Sequence, residues 1–298
     1  MTEDQVIRKS SEEIGKGMYP NNPGSVRRLI RELHTENVKT SFERFRSQLH
    51  VIDLSISILL DFFLISHDRP EVGEVAFWPS IANRIPSPDL LCQCAVSGVV
   101  DMALAARELS IRGLDNPARL VIRSIFELGD FILSVMGDPK FFEDFAALPQ
   151  SGMTPHQQWS SLLKPSHLRK KAAEVIRGIG ASDELVAGYI DDRASHYQKL
   201  SQSAHLDFEG LICGNLRRYS DDESNVAPSI LGVIGPSTGG TLGMLADEIG
   251  VTTRAIAKLL IEKHGWEKHL TGRQLKSFKR QDRLMRALTR MWRAEKRT

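Results

Sequence analysis

The chain has 298 residues, 41% of them hydrophobic and 26% charged, with a formal net charge of +2. That is the profile of an ordinary globular protein, long enough to bury one large or two ordinary cores, and it argues against a disordered, fibrous or membrane-embedded class. The three cysteines, Cys92, Cys94 and Cys213, match no zinc spacing; buried thiols are expected, and neither a metal nor a cofactor is implied.

The opening M-T-E-D-Q-V lacks the apolar run of a secretory leader. The greasiest stretch, Leu54 to Ile65, contains Asp61 and is too short to span a bilayer. A cytoplasmic protein without membrane contact is expected. From Thr35 to Ser66 the residues Phe42, Phe45, Leu49, Ile52, Ile56, Leu59, Leu60 and Phe63 recur at steps of three and four. That spacing predicts one long amphipathic helix, or two joined end to end. Asp68 to Glu74 reads as a loop. Ser87-Pro88 opens a second long helix through Arg112, because proline at the first helical position lacks only an N–H that has no intrahelical partner.

The same signal recurs at Asn116-Pro117, at Asp138-Pro139 and at Thr154-Pro155-His156-Gln157, the last also a capping box. Further helices are expected at 166–178, 183–213, 240–264 and 271–296, and a loop from Ser220 to Gly240. Alternating β-branched runs are nearly absent, so the fold class is all-α. The expected architecture is a bundle of long helices from about 25 to 215, with a C-terminal helical extension. The division falls between a core, 1–234, and a C-terminal portion, 235–298.

Two polar rows interrupt this apolar pattern. Arg119, Arg123, Glu127 and Asp130 lie at i, i+4, i+8 and i+11, one stripe of a helix whose other faces carry Leu120, Ile125, Leu128 and Ile132. Tyr197, Ser201 and His205 repeat every four residues, with Asp192, Arg193 and His196 nearby. Charged groups are seldom buried unless paired, so the two rows are expected to meet at one polar site between helices. Arg119, Arg123, Tyr197 and Ser201 are then ligand-binding candidates. Glu127 would orient the ligand, and His205 would move a proton. Each row taken alone also fits a structural role: an ion-paired stripe, or hydroxyls bonded to backbone carbonyls.

The R-S-I-F-E helix, the preceding A-R-E-L-S-I-R-G and the Y-x-x-x-S-x-x-x-H helix together resemble a family of uncharacterised bacterial helical proteins across residues 90–215. That resemblance implies an all-helical fold and no particular activity. More loosely, the chain is similar to the HEPN superfamily of helical nucleases and nucleotide-binding proteins, which use an Arg followed by a His one to two turns later. The chain departs from that pattern: Arg193 is too close to His196 and too far from His205. The similarity implies a nucleotide or nucleic-acid ligand.

In the C-terminal third, Leu245 to Leu259 fits a helix-turn-helix with Gly250 in the turn and Thr252, Thr253, Arg254 and Lys258 on a reading helix. Leu242, Leu245, Ile249, Ile256 and Leu260 fit one uninterrupted helix better, with Gly250 inside it. G-P-S-T-G-G at 235–240 precedes a helix but lacks the lysine and spacing of a P-loop; Thr238 or Thr241 is expected to cap that helix. Residues 268–298 hold eleven Lys and Arg against Asp282 and Glu295, a local charge of +9, which leaves −7 on the rest. Such a tail suits an anionic partner, its own acidic body or a second copy of the chain.

Three readings follow. The first is a helical module binding a phosphate-bearing ligand, nucleotide or RNA, with hydrolysis possible. The second is a DNA-binding regulator using 245–259 and the basic tail. The third is a non-catalytic interaction protein that forms homo-oligomers.

Overall fold

Proline starts six of the described helices, for the reason the sequence suggests: its absent N–H is one that no helix could have used. The computed structural model describes residues 23–67, 88–202, 216–218, 226–228, 232, 234–262 and 272–295. The helices are α1 (Pro23–Arg44), α2 (Arg46–His67), α3 (Pro88–Ile111), α4 (Asp115–Gly137), α5 (Pro139–Ala147), α6 (Pro155–Gln158), α7 (Pro165–Gly178), α8 (Asp183–Gln202), α9 (Pro236–Glu262) and α10 (Gly272–Glu295). A five-residue π turn, Trp159–Leu163, follows α6. The protein is all-α, a helical bundle.

The amphipathic stretch from Thr35 to Ser66 is two helices end to end, parted at Phe45. The hydrogen-bond ladder crosses the break, from Phe45 N–H to the Ser41 carbonyl at 2.9 Å and from Leu49 N–H to the Phe45 carbonyl at 3.0 Å. Phe45 lays its ring on Gly239 of α9, where a β-carbon would come within 2.9 Å of it. Between α3 and α4 the chain turns through Gly113 at φ 73°, a left-handed conformation natural to glycine. Asp138 caps α5 by accepting from Lys140 and Phe141, and Thr154 and Gln157 form the expected capping box.

α4 is the hub, packing on α3, α7, α8 and α9. Its residues Ile122, Ile125, Ile132 and Leu133 are fully buried. Leu242, Leu245, Ile249, Ile256 and Leu259 of α9 belong to the same hydrophobic cluster as α2, α3 and α4. The division expected at residue 234 therefore separates no two cores: α9 runs through the bundle. α10 packs mainly on α2 and adds Met285 to the same cluster.

Of the two readings of Leu245 to Leu259 the uninterrupted helix is the one formed: α9 is continuous through Gly250, and Thr252 and Thr253 are both 0% exposed and face the core. Three expectations are corrected. The expected loop 220–240 contains a strand, β2 (Val226–Pro228), which pairs antiparallel with β1 (Leu216–Arg218). The same loop ends early, since α9 already begins at Pro236, inside G-P-S-T-G-G. There Thr238 reaches back to accept from the Gly235 N–H at 3.2 Å and donates to Asp115 at 3.1 Å. Finally, Cys94 is exposed and Cys92 half-buried, so neither is a buried thiol. Ser87, the loop 68–74, His205 and Cys213 lie outside the described residues. No described helix is long and apolar enough to cross a membrane.

Candidate functional site

α4 and α8 pack side by side in opposite directions, so later residues of α4 meet earlier residues of α8. At the upper level Arg123 Nη2 donates to the Tyr197 hydroxyl at 2.7 Å, and that hydroxyl donates to Glu127 Oε1 at 3.0 Å. Arg123 Nε closes the triangle to Glu127 at 3.4 Å, a spacing set by i,i+4 on one helix. The side chains of Arg123 and Glu127 are 30% and 38% exposed, so water reaches them. The Arg123 guanidinium sits 4.8 Å from the centre of the Tyr197 ring, within cation–π range.

A residue the sequence did not single out completes this level. Arg169, from α7, places its guanidinium 5.7 Å from the same ring. Its Nε is buried without a hydrogen-bond partner, as is the Ser201 hydroxyl one turn beyond Tyr197. Burial, then the negative charge of Glu127, holds the Tyr197 phenol above its ordinary range, so it serves as a neutral donor. Arg123 and Arg169 against Glu127 leave this level with one excess positive charge.

Arg119 does not join it. Its guanidinium turns to α9, donating to Thr241 at 3.0 Å and to Ser237 at 3.0 Å. Arg119 is thus corrected from ligand contact to a tie between α4 and α9. Asp130 also leaves the row, into the interior.

One to two turns back along α8, the packing seals a second cluster. Arg193 lies 3.0 Å from Asp130 and 2.6 Å from Glu248 of α9, and the three side chains are 4%, 6% and 2% exposed. Arg193 also donates to the Phe126 carbonyl at 3.2 Å and to Thr252 at 3.1 Å, while Thr252 donates to Glu248 at 2.8 Å. Tyr189 donates to Asp130. The guanidinium stacks on Tyr189 at 4.6 Å and on Phe126 at 5.1 Å. Gly129 lets α9 approach: a β-carbon there would stand 2.7 Å from Thr252 Oγ1 and 3.2 Å from Glu248.

Two carboxylates share one guanidinium here, away from water. Burial raises both Asp130 and Glu248 above the usual carboxyl range, and the attraction of Arg193 offsets this only in part. Burial disfavours the Arg193 cation too, but Asp130 and Glu248 outweigh it and hold that pKa above its ordinary value. Burial likewise pushes the Tyr189 phenol well up. The cluster is nearly sealed from water, and Tyr189, Arg193 and Glu248 help to line a cavity of only about 70 Å³.

A signal for these residues was present in the sequence. Tyr189, Arg193, Tyr197 and Ser201 follow one another at four-residue steps. The row on α8 thus begins two members, eight residues, before Tyr197. Arg169 and Glu248 carry no comparable mark, because each stands alone on its own helix.

The largest cavity among those described, about 650 Å³, lies elsewhere, at the C-terminal ends of α4, α7 and α9. None of the expected site residues lines it. There Lys171 bridges Asp138 and Glu174, each at 2.9 Å. Among the described residues no three His, Cys, Asp or Glu side chains converge as metal ligands. Comparison with protein-family models, with curated proteins and with solved structures finds no match.

Proposed function

We propose that the upper level of the α4–α8 contact binds a phosphate-bearing ligand, a nucleotide or RNA. The observation that carries this is the convergence of Arg123 and Glu127 on one Tyr197 hydroxyl, with both charged side chains still open to water. In this reading the free donors of Arg123 and the Arg169 guanidinium take the anion. Glu127 fixes Arg123 and orients the ligand, and the Ser201 and Tyr197 hydroxyls supply neutral hydrogen bonds. The likeness to the HEPN superfamily points toward the same ligands. By its spacing His205 is the next residue of the row, and it is the proton carrier if hydrolysis follows binding.

The test is titration of wild type and Arg123→Ala with a panel of ribonucleotides and a single-stranded RNA, by calorimetry or fluorescence polarisation. Loss of a charged hydrogen bond, worth about 1.5–3 kcal/mol, weakens binding about ten- to a hundredfold with little change in melting temperature. Absence of binding in the wild type, or equal affinity in the variant, rejects the proposal.

A further inference from the structure

α10 meets the bundle through one face. Met285 and Thr289 are buried and Leu288 is half-buried. Ser55 of α2 reaches the Met285 sulfur at 3.2 Å, and Gln281 donates to Ser57 at 3.4 Å. On the opposite face Lys276, Lys279, Arg280, Arg283, Arg286 and Arg290 are all exposed. At 3.6 residues per turn these six fall within an arc of about 120°, along roughly 21 Å of helix. Arg286 pairs with Asp282. Lys276, Arg280, Arg283 and Arg290 meet no carboxylate among the described residues.

We infer that this outward face docks the phosphate backbone of a nucleic acid. A helical ridge of cations, one or two per turn, matches a polyanion whose charges are evenly spaced along a strand. Residues 1–267 carry −7, so the long-range attraction for a polyanion is concentrated in the C-terminal stretch that contains α10. A lipid surface fits less well. A helix lying in a bilayer needs its apolar face free, whereas that of α10 is covered by α2; exposed Leu284 and Met291 stand only at the edge of the cationic arc. Base reading is also disfavoured: Gln274 and Gln281 are half-buried, and the remaining outward positions are Ser277 and Ala287. Binding is therefore indifferent to sequence. This face is distinct from the Arg123 level, which belongs to α4, α7 and α8, and the inference does not depend on that site.

The experiment compares the full chain with a variant carrying Lys276→Gln, Arg280→Gln, Arg283→Gln and Arg290→Gln together. All four side chains are exposed, so helicity by circular dichroism and the melting temperature stay unchanged. A labelled random-sequence DNA duplex and a single-stranded RNA are titrated by fluorescence polarisation over a range of potassium chloride. Wild-type affinity falls linearly on a log–log plot against salt, and removing four cations makes that slope shallower by about 3. The inference is overturned if the wild type binds neither nucleic acid at low salt. Equal slopes in the two proteins overturn it as well. So does preferential binding to phosphatidylserine-containing vesicles that is lost in the variant.

Discussion

The same two helices carry two polar levels that obey opposite physics. At the upper level Arg123, Glu127 and Tyr197 share hydrogen bonds at the surface, where an ion pair contributes little to stability and its donors stay available. Deeper, Arg193 is sealed between Asp130 and Glu248 by α9, where removing one partner strands a buried charge. Residue types are nearly identical in the two places. What differs is the third helix: α9 seals the deeper level, whereas α7 brings Arg169 to the upper one and leaves Arg123 and Glu127 open to water, and that decides between a place to bind and a joint that holds.

The comparison can be broken at its strongest point first. Arg193→Ala leaves two buried carboxylates without their cation and is expected to cost about 3–5 kcal/mol, read as a lowered urea midpoint and melting temperature. A variant within about 1 kcal/mol of wild type shows instead that the cluster tolerates water. Next, Gly129→Ala places a methyl 2.7 Å from Thr252 Oγ1 and forces α9 away from α4. Overpacking of this kind costs about 1–3 kcal/mol, and thermal melts check it.

The pH dependence sharpens the contrast further. Asp130 and Glu248 have folded-state pKa values above their unfolded ones, so the folded chain holds protons that the unfolded chain releases near pH 4. Their contribution to stability is greatest below that pH and declines as pH rises through the folded values. Glu248→Gln removes one carboxyl and leaves Arg193 balanced by Asp130 alone. Urea unfolding across a pH series should therefore show this variant gaining on wild type as pH is raised above about 4. A constant difference contradicts the raised values. The smallest stability effect is expected at the upper level, where Tyr197→Phe removes hydroxyl contacts to Arg123 and Glu127 and changes stability by about 1 kcal/mol or less. A larger fall there makes the open level a structural joint like the deeper one.

Part of this was legible from residue order. The stripe Arg123–Glu127 and the stripe Tyr197–Ser201 are local facts of helical period, and their convergence follows from an apolar helix having to bury its charged row against something. Arg119 defeated the same argument. It shares the stripe, but the chain reverses between α8 and α9 and brings Thr241 and Ser237 within its reach. Arg169 was invisible, because nothing on α7 repeats with it.

Sequence alone determined most of the helices, the proline starts at Pro88, Pro139 and Pro155, and the two polar stripes, since capping and period act over a few neighbouring residues; Asn116-Pro117 only neighbours the start of α4 at Asp115. Tertiary packing decided which half of each stripe meets water. Closure by α9 depends on Gly129 and Glu248, residues far apart in the chain, and only the folded bundle makes them neighbours.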